Sequence, residues 1–252
     1  MKKIKEAYLT EGRKSIDFPI RKTDRLNAII TGCFFIAATV SAIIGLKLYD
    51  PLLTSTEYLI DGAANSSQIV LGAVFEMFLV ISVCGTATML YPYLKVYNAR
   101  SAITYYTFRF MEAICILLGL VSVLSLLTLS HSYTTSVNAD DSYYNAIGTL
   151  AKAFHDWSFI LGPKFLLGIN TFIYSYVFYK MQLVPKKLAL LGMTGACLVF
   201  SNALLGMFGF LGSLSVVDLL LAFPVAIYEM ILAVWLIAKG FNIQYERHKV
   251  FS

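Results

Sequence analysis

Long apolar runs alternate with short polar segments along this chain. Six runs stand out, from about Leu26 to Leu48, Ile69 to Leu94, Ile103 to Leu129, Trp157 to Tyr179, Leu188 to Leu211 and Val217 to Ala238. About 20 mostly apolar residues suffice for an α-helix to cross a bilayer. The pattern therefore predicts an all-α protein: a polytopic transmembrane helix bundle of six spans. Residues 1–25 read as a cytoplasmic N-terminal segment, 26–240 as the six-span domain and 241–252 as a cytoplasmic tail. Two polar connections are long, about Tyr49–Gln68 and Ser130–Asp156. Within the second, Asp141–His155 suits a short surface helix.

Charge sets the expected orientation. Lys and Arg collect in cytoplasmic loops. Here they fill the N-terminal segment (Lys2, Lys3, Lys5, Arg13, Lys14, Arg21, Lys22, Arg25) and the second-to-third connection (Lys95, Arg100). They also fill the fourth-to-fifth connection (Lys180, Lys186, Lys187) and the tail (Lys239, Arg247, Lys249). The other two loops are acidic, with Asp50, Glu57, Asp61, Asp140 and Asp141. Six spans put every basic segment on one side, so both termini are expected inside. Residues 1–25 mix cations with Glu6, Glu11, Asp17 and Asp24, and the apolar run after them is too long for a signal-peptide core.

Composition agrees with the membrane class. The chain is 58% hydrophobic and 14% charged, whereas soluble domains carry about 25% charged residues. The net charge of +5 follows topology rather than forming a nucleic-acid face, so no nucleic-acid partner is expected. The four cysteines, Cys33, Cys84, Cys115 and Cys197, lie in apolar runs without a CxxC pair or a nearby His. They read as small buried hydrophobes; no metal and no cofactor are expected.

Charges inside spans are costly and point to a site with a partner. The expected cluster is Glu76, Arg109, Glu112 and Glu229. Arg109 and Glu112 are three apart and share a helix face, and the Arg109 fork suits a carboxylate on a neighbouring span, Glu229 foremost. Ala222, Ala226 and Ala233 form a small-residue stripe with Glu229, which turns the acid toward protein. Pro224 is expected to kink that span. Secondary candidates are His155 and Asp156 at an outer mouth, Lys164 beside Pro163, and Asn202. Lys164 is expected to pair with Glu76 or to snorkel; Asn202 reads as interhelical glue.

Motif order adds a resemblance. Arg109-Phe110-Met111-Glu112-Ala113 is followed by Ala153-Phe154-His155 with Gly162 and Gly168. Leu183-Val184-Pro185 leads to Leu188, and the sixth span carries Pro224, Glu229, Leu232, Trp235-Leu236 and Lys239-Gly240. Together these resemble the bacterial membrane-protein family catalogued as domain of unknown function 4386, over most of residues 26–242. Lys164 departs from the family pattern. The resemblance implies a six- or seven-span helical protein of the bacterial plasma membrane, without an established activity.

Three functions stand open from the sequence. One is a small proton- or solute-linked transporter working through the Glu/Arg cluster. Another is a structural or interaction protein whose ion pairs hold the bundle. The third is a membrane-embedded lipid-modifying enzyme, though no catalytic motif calls for one. The expected partners are the bilayer and a small solute or proton.

Overall fold

The computed structural model describes residues 23–137, 140–211 and 215–242. Most of the basic N-terminal segment and of the C-terminal tail lies outside the described residues.

Every described element is helical. In chain order they are α1 (Thr23–Leu48), α2 (Asp50–Leu53), α3 (Tyr58–Ala64), α4 (Ser66–Tyr97), α5 (Ala99–Thr135) and α6 (Asp141–Phe159). A π-helical segment (Ile160–Leu166) follows, then α7 (Leu167–Met181), α8 (Lys186–Met207) and α9 (Val216–Ala238). Among the described residues, α1, α4, α5, α8 and α9 are long and apolar enough to cross a membrane. At 1.5 Å per residue the 22 residues of α8 span about 33 Å, matching a hydrocarbon core of about 30 Å.

The fourth expected span is built differently. Residues 157–179 are not one α-helix but the end of α6, the π segment and most of α7. Pro163 lies inside the π segment. A proline has no N–H to donate and its ring clashes with the carbonyl four residues back. A one-residue widening of the helix absorbs that clash and keeps the chain helical. The expected surface helix begins at Asp141 but runs on into this segment without a break.

Helix ends follow local chemistry. One residue, Asn98, separates α4 from α5, and its Oδ1 accepts from Arg100 N at 2.8 Å. Asp140 caps α6 by accepting from Ser142 N at 3.0 Å. Ser215 Oγ accepts from Asp218 N at 3.2 Å at the start of α9. Such caps satisfy donors that no helical carbonyl can reach. Helix α9 ends where Gly240 adopts φ +76°, the left-handed turn that glycine takes without a Cβ penalty.

The helices pack as a ring. α1 lies against α4 and α9, α4 against α5, and α5 against α6 and the π segment; α8 bridges α7 to α9. Glycines set the closest approaches. A Cβ on Gly32 would lie 2.7 Å from Ala233 O, and one on Gly195 3.0 Å from Val225 N. Only bare backbone permits such contact, the usual device where lipid removes a hydrophobic drive for helix association. The outward faces are apolar: Leu220, Phe223 and Val234 of α9 are more than 60% exposed, as a lipid-facing surface requires.

Candidate functional site

The interior holds a charged centre where α4, α5, α7 and α9 meet. Arg109 of α5 is 2% exposed and Glu112 3%. Arg109 Nη1 donates to Glu112 Oε2 at 2.9 Å and to Oε1 at 3.1 Å, and Arg109 Nε donates to Thr86 Oγ1 of α4 at 3.3 Å. Asn170 Nδ2 of α7 donates to Glu112 Oε2 at 2.7 Å. The pair thus has the additional hydrogen bonds that a charge pair needs to persist away from water.

Glu229 of α9 lies within electrostatic reach of Arg109, Tyr105 and Tyr174. It is buried, yet its Oε1 has no hydrogen-bond partner. The expected Arg109–Glu229 ion pair is therefore not what the helices form; Arg109 turns its fork to Glu112 on its own helix. A partner three residues away in the same helix needs no interhelical register to be reached.

Three tyrosines wall this centre, Tyr105, Tyr174 and Tyr228, all fully buried. The Tyr105 and Tyr174 rings meet edge to face at 5.8 Å, and Tyr174 and Tyr228 stack at 6.0 Å. Ser175 Oγ donates to Tyr228 OH at 2.9 Å. The hydroxyls of Tyr105 and Tyr174, Asn170 Oδ1 and Thr171 Oγ1 are buried without partners. A buried polar atom without a partner is costly, so this concentration marks a place built for polar occupancy.

Glu76 stands apart. Its Oε2 accepts from Tyr49 OH at 3.2 Å, and it sits ten residues from Thr86 along α4, about 15 Å by helical rise. His155 lies within electrostatic reach of it. His155 is buried and faces exposed Asp156, Nδ1 to Oδ1 at 3.2 Å.

Lys164 pairs with neither Glu76 nor the bilayer surface. Its Nζ lies 2.5 Å from Asp218 Oδ1, both side chains being buried. Asn202 Nδ2 donates to the Asp218 carbonyl at 2.9 Å. Asn202 thus joins α8 to α9 at the ion pair that ties the π segment to α9. The expected four-residue cluster resolves into the Arg109–Glu112–Glu229 centre and a Glu76–Tyr49 contact toward the acidic loops, while the secondary candidate Lys164 forms a separate pair with Asp218.

Thr86, Asn170, Tyr174, Ser175 and Tyr228 are the members that sequence reasoning missed. A signal existed: Asn170 with Tyr174, and Thr171 with Ser175, are pairs four apart in an apolar run, one polar stripe on a helix.

Apolar helices of membrane-crossing length, closed around buried charge, define a multi-pass membrane protein. The chain belongs to the family described as Domain of unknown function (DUF4386), whose model matches residues 30–240. No curated protein and no solved structure matches the chain.

Proposed function

We propose that this is a proton-linked transport protein whose exchanging group is Glu229 beside the Arg109–Glu112 pair. One observation carries the reading: a single guanidinium stands among two buried carboxyls, and Glu112 takes its two oxygens' worth of hydrogen bonds, leaving Glu229 Oε1 unpartnered. A buried carboxyl that makes no ion pair of its own is a natural proton acceptor.

The same proposal places six crossings in a bacterial plasma membrane, with both termini cytoplasmic. Support for an even number of crossings comes from Arg25 at the start of α1. Its Nη1 donates to Leu236 O at 3.0 Å, and its Nη2 donates to Ile237 O and Ala238 O at the end of α9. The first and last spans thus end together, and the composite α6–π–α7 element supplies the crossing between α5 and α8.

The test is proton uptake into proteoliposomes with an entrapped pH-sensitive dye. Wild-type protein is expected to pass protons down an imposed gradient and Glu229→Gln to lose at least tenfold of that flux while folding normally. Equal flux in both overturns the proposal. A second reading, ion pairs that only stabilise the bundle, is favoured by the enclosure of Arg109 and Glu112. It requires Glu112→Gln to lower the melting temperature with no flux to lose in any variant.

A further inference from the structure

We propose that the Glu229 centre exchanges protons with one end of the bundle only, the end carrying Arg25, Lys180 and Lys186, through a hydroxyl relay gated by Phe241. This rests on the proton-exchanging role of Glu229.

The relay starts at the carboxyl. Glu229 Oε1 and the hydroxyls of Tyr105 and Tyr174 are buried and unpartnered within electrostatic reach of one another. Three converging polar atoms are what one internal water needs to be held. From there Tyr228 and Ser175 continue the series, already joined by the 2.9 Å hydrogen bond. A proton entering at Ser175 displaces the Ser175 proton to Tyr228, and so on until Glu229 carboxylate becomes the acid. No hydroxyl changes state, and no other bond is made or broken.

The opposite direction is closed by backbone. A Cβ on Gly195 would lie 3.0 Å from Val225 N, one on Gly168 3.1 Å from Ala196 O, and one on Gly162 3.3 Å from Glu112 O. Helices this close leave no room for water between α8 and α9, between α7 and α8, or between the π segment and α5. Leu166, Val199 and Val225 on these same helices are buried as well. The groups facing Glu229 are Arg109, Glu112 and Tyr105 from α5, Tyr174 from α7 and Tyr228 from its own helix. The buried polar residues of α1, α4 and α8 are Thr31, Ser41, Ser82, Thr86 and Asn202, none of which carries a charge.

Toward the basic end, Ser175 lies six residues from Met181, about 9 Å by helical rise. That interval is filled by buried Phe178, Leu183, Val184, Leu232 and Leu236, and Phe241 completes the packing, its ring 4.2 Å from Tyr93 and 5.8 Å from Phe178. Phe241 belongs to no helix. It follows the left-handed turn at Gly240 and is held by Asn242 N donating to Leu183 O at 2.8 Å. A ring on a strap after a helix end can leave that packing without moving a helix, which the packed backbones on the far side cannot do.

Infrared spectroscopy of the full chain in lipid bilayers tests this. The carbonyl band of the protonated Glu229 carboxyl is the one missing in Glu229→Gln, and its shift after transfer to deuterated buffer times the exchange. Ser175→Ala and Tyr228→Phe are expected to slow the shift at least tenfold, and Phe241→Ala to hasten it at least tenfold. Asn202→Ala, beyond the closed level, is expected to leave it unchanged. Wild-type rates in both relay variants, no gain in Phe241→Ala, or slowing by Asn202→Ala each overturn the relay while Glu229 remains a proton acceptor. Absence of any Glu229 carboxylic-acid band overturns both the relay and the proton-linked role.

Discussion

Arg109 and Glu112 form a doubly hydrogen-bonded ion pair within one helix, closest at 2.9 Å, while Glu229 faces the same guanidinium across the bundle without an ion pair to it. This asymmetry makes the two acids unequal. Glu112 is needed to neutralise a buried cation; Glu229 is not.

Removing the cation is therefore expected to be severe. Arg109→Met leaves Glu112 buried and unpaired, a loss of about 3–5 kcal/mol for a broken buried pair. For a chain of this size that corresponds to a melting temperature lower by roughly 6–20 °C. The double variant Arg109→Met/Glu112→Gln removes both charges and is expected to regain most of the loss. Thermal melts in detergent measure the cycle, and an unrestored double variant would show that the pair is not the source of the effect.

The two glutamates are expected to part company under the same substitution. Glu112→Gln strands Arg109 and lowers the melting temperature by several degrees, whereas Glu229→Gln, which breaks no ion pair, stays within about 2 °C of wild type. Similar losses in both would refute the inequality of the two acids.

The Lys164–Asp218 pair is a second buried pair, joining elements 54 residues apart. Asp218→Asn is expected to cost about 3–5 kcal/mol, and Lys164→Met/Asp218→Leu to restore most of it. Because the pair anchors the π segment, amide hydrogen exchange in residues 160–166 is expected to quicken in the single variant and to recover in the double one. Unchanged exchange in the single variant would detach the pair from the π segment.

Glycine contacts supply a steric contrast. A Cβ on Gly192 would meet Tyr228 Cζ at 2.3 Å and Ser175 Oγ at 2.4 Å, but one on Gly206 finds nothing nearer than Ile160 Cδ1 at 3.9 Å. Gly192→Ala is expected to cost about 1–3 kcal/mol through overpacking. Gly206→Ala is expected to gain a few tenths up to about 1 kcal/mol from better helix propensity. Chemical or thermal unfolding separates them, and equal effects would contradict this packing of α8 on α9.

Much of this was legible in the residues. Hydrophobic runs long enough to span a bilayer predicted all five helices of membrane-crossing length, the largest boundary difference being at Thr135, where α5 outruns the expected Leu129, because in hydrocarbon a helix is the only way for one segment to satisfy its own backbone. The Ala222–Ala226–Glu229–Ala233 stripe turned Glu229 inward, and Ala233 does lie against Gly32. Pro163 is at odds with a regular helix interior, but only the fold shows that its clash is absorbed by π geometry.

Pairing was a different matter. By itself the sequence determined the class, the helices and the buried charges, since each depends on composition and spacing along one segment. Only the tertiary structure decided that Arg109 keeps Glu112, that Lys164 takes Asp218 rather than Glu76, and that three tyrosines close around Glu229. Those outcomes depend on the rotation and axial register of neighbouring helices, set by backbone approach at glycines far apart in the chain. A shift of one residue turns a helical side chain by about 100°, enough to exchange one partner for another without altering the apolar pattern.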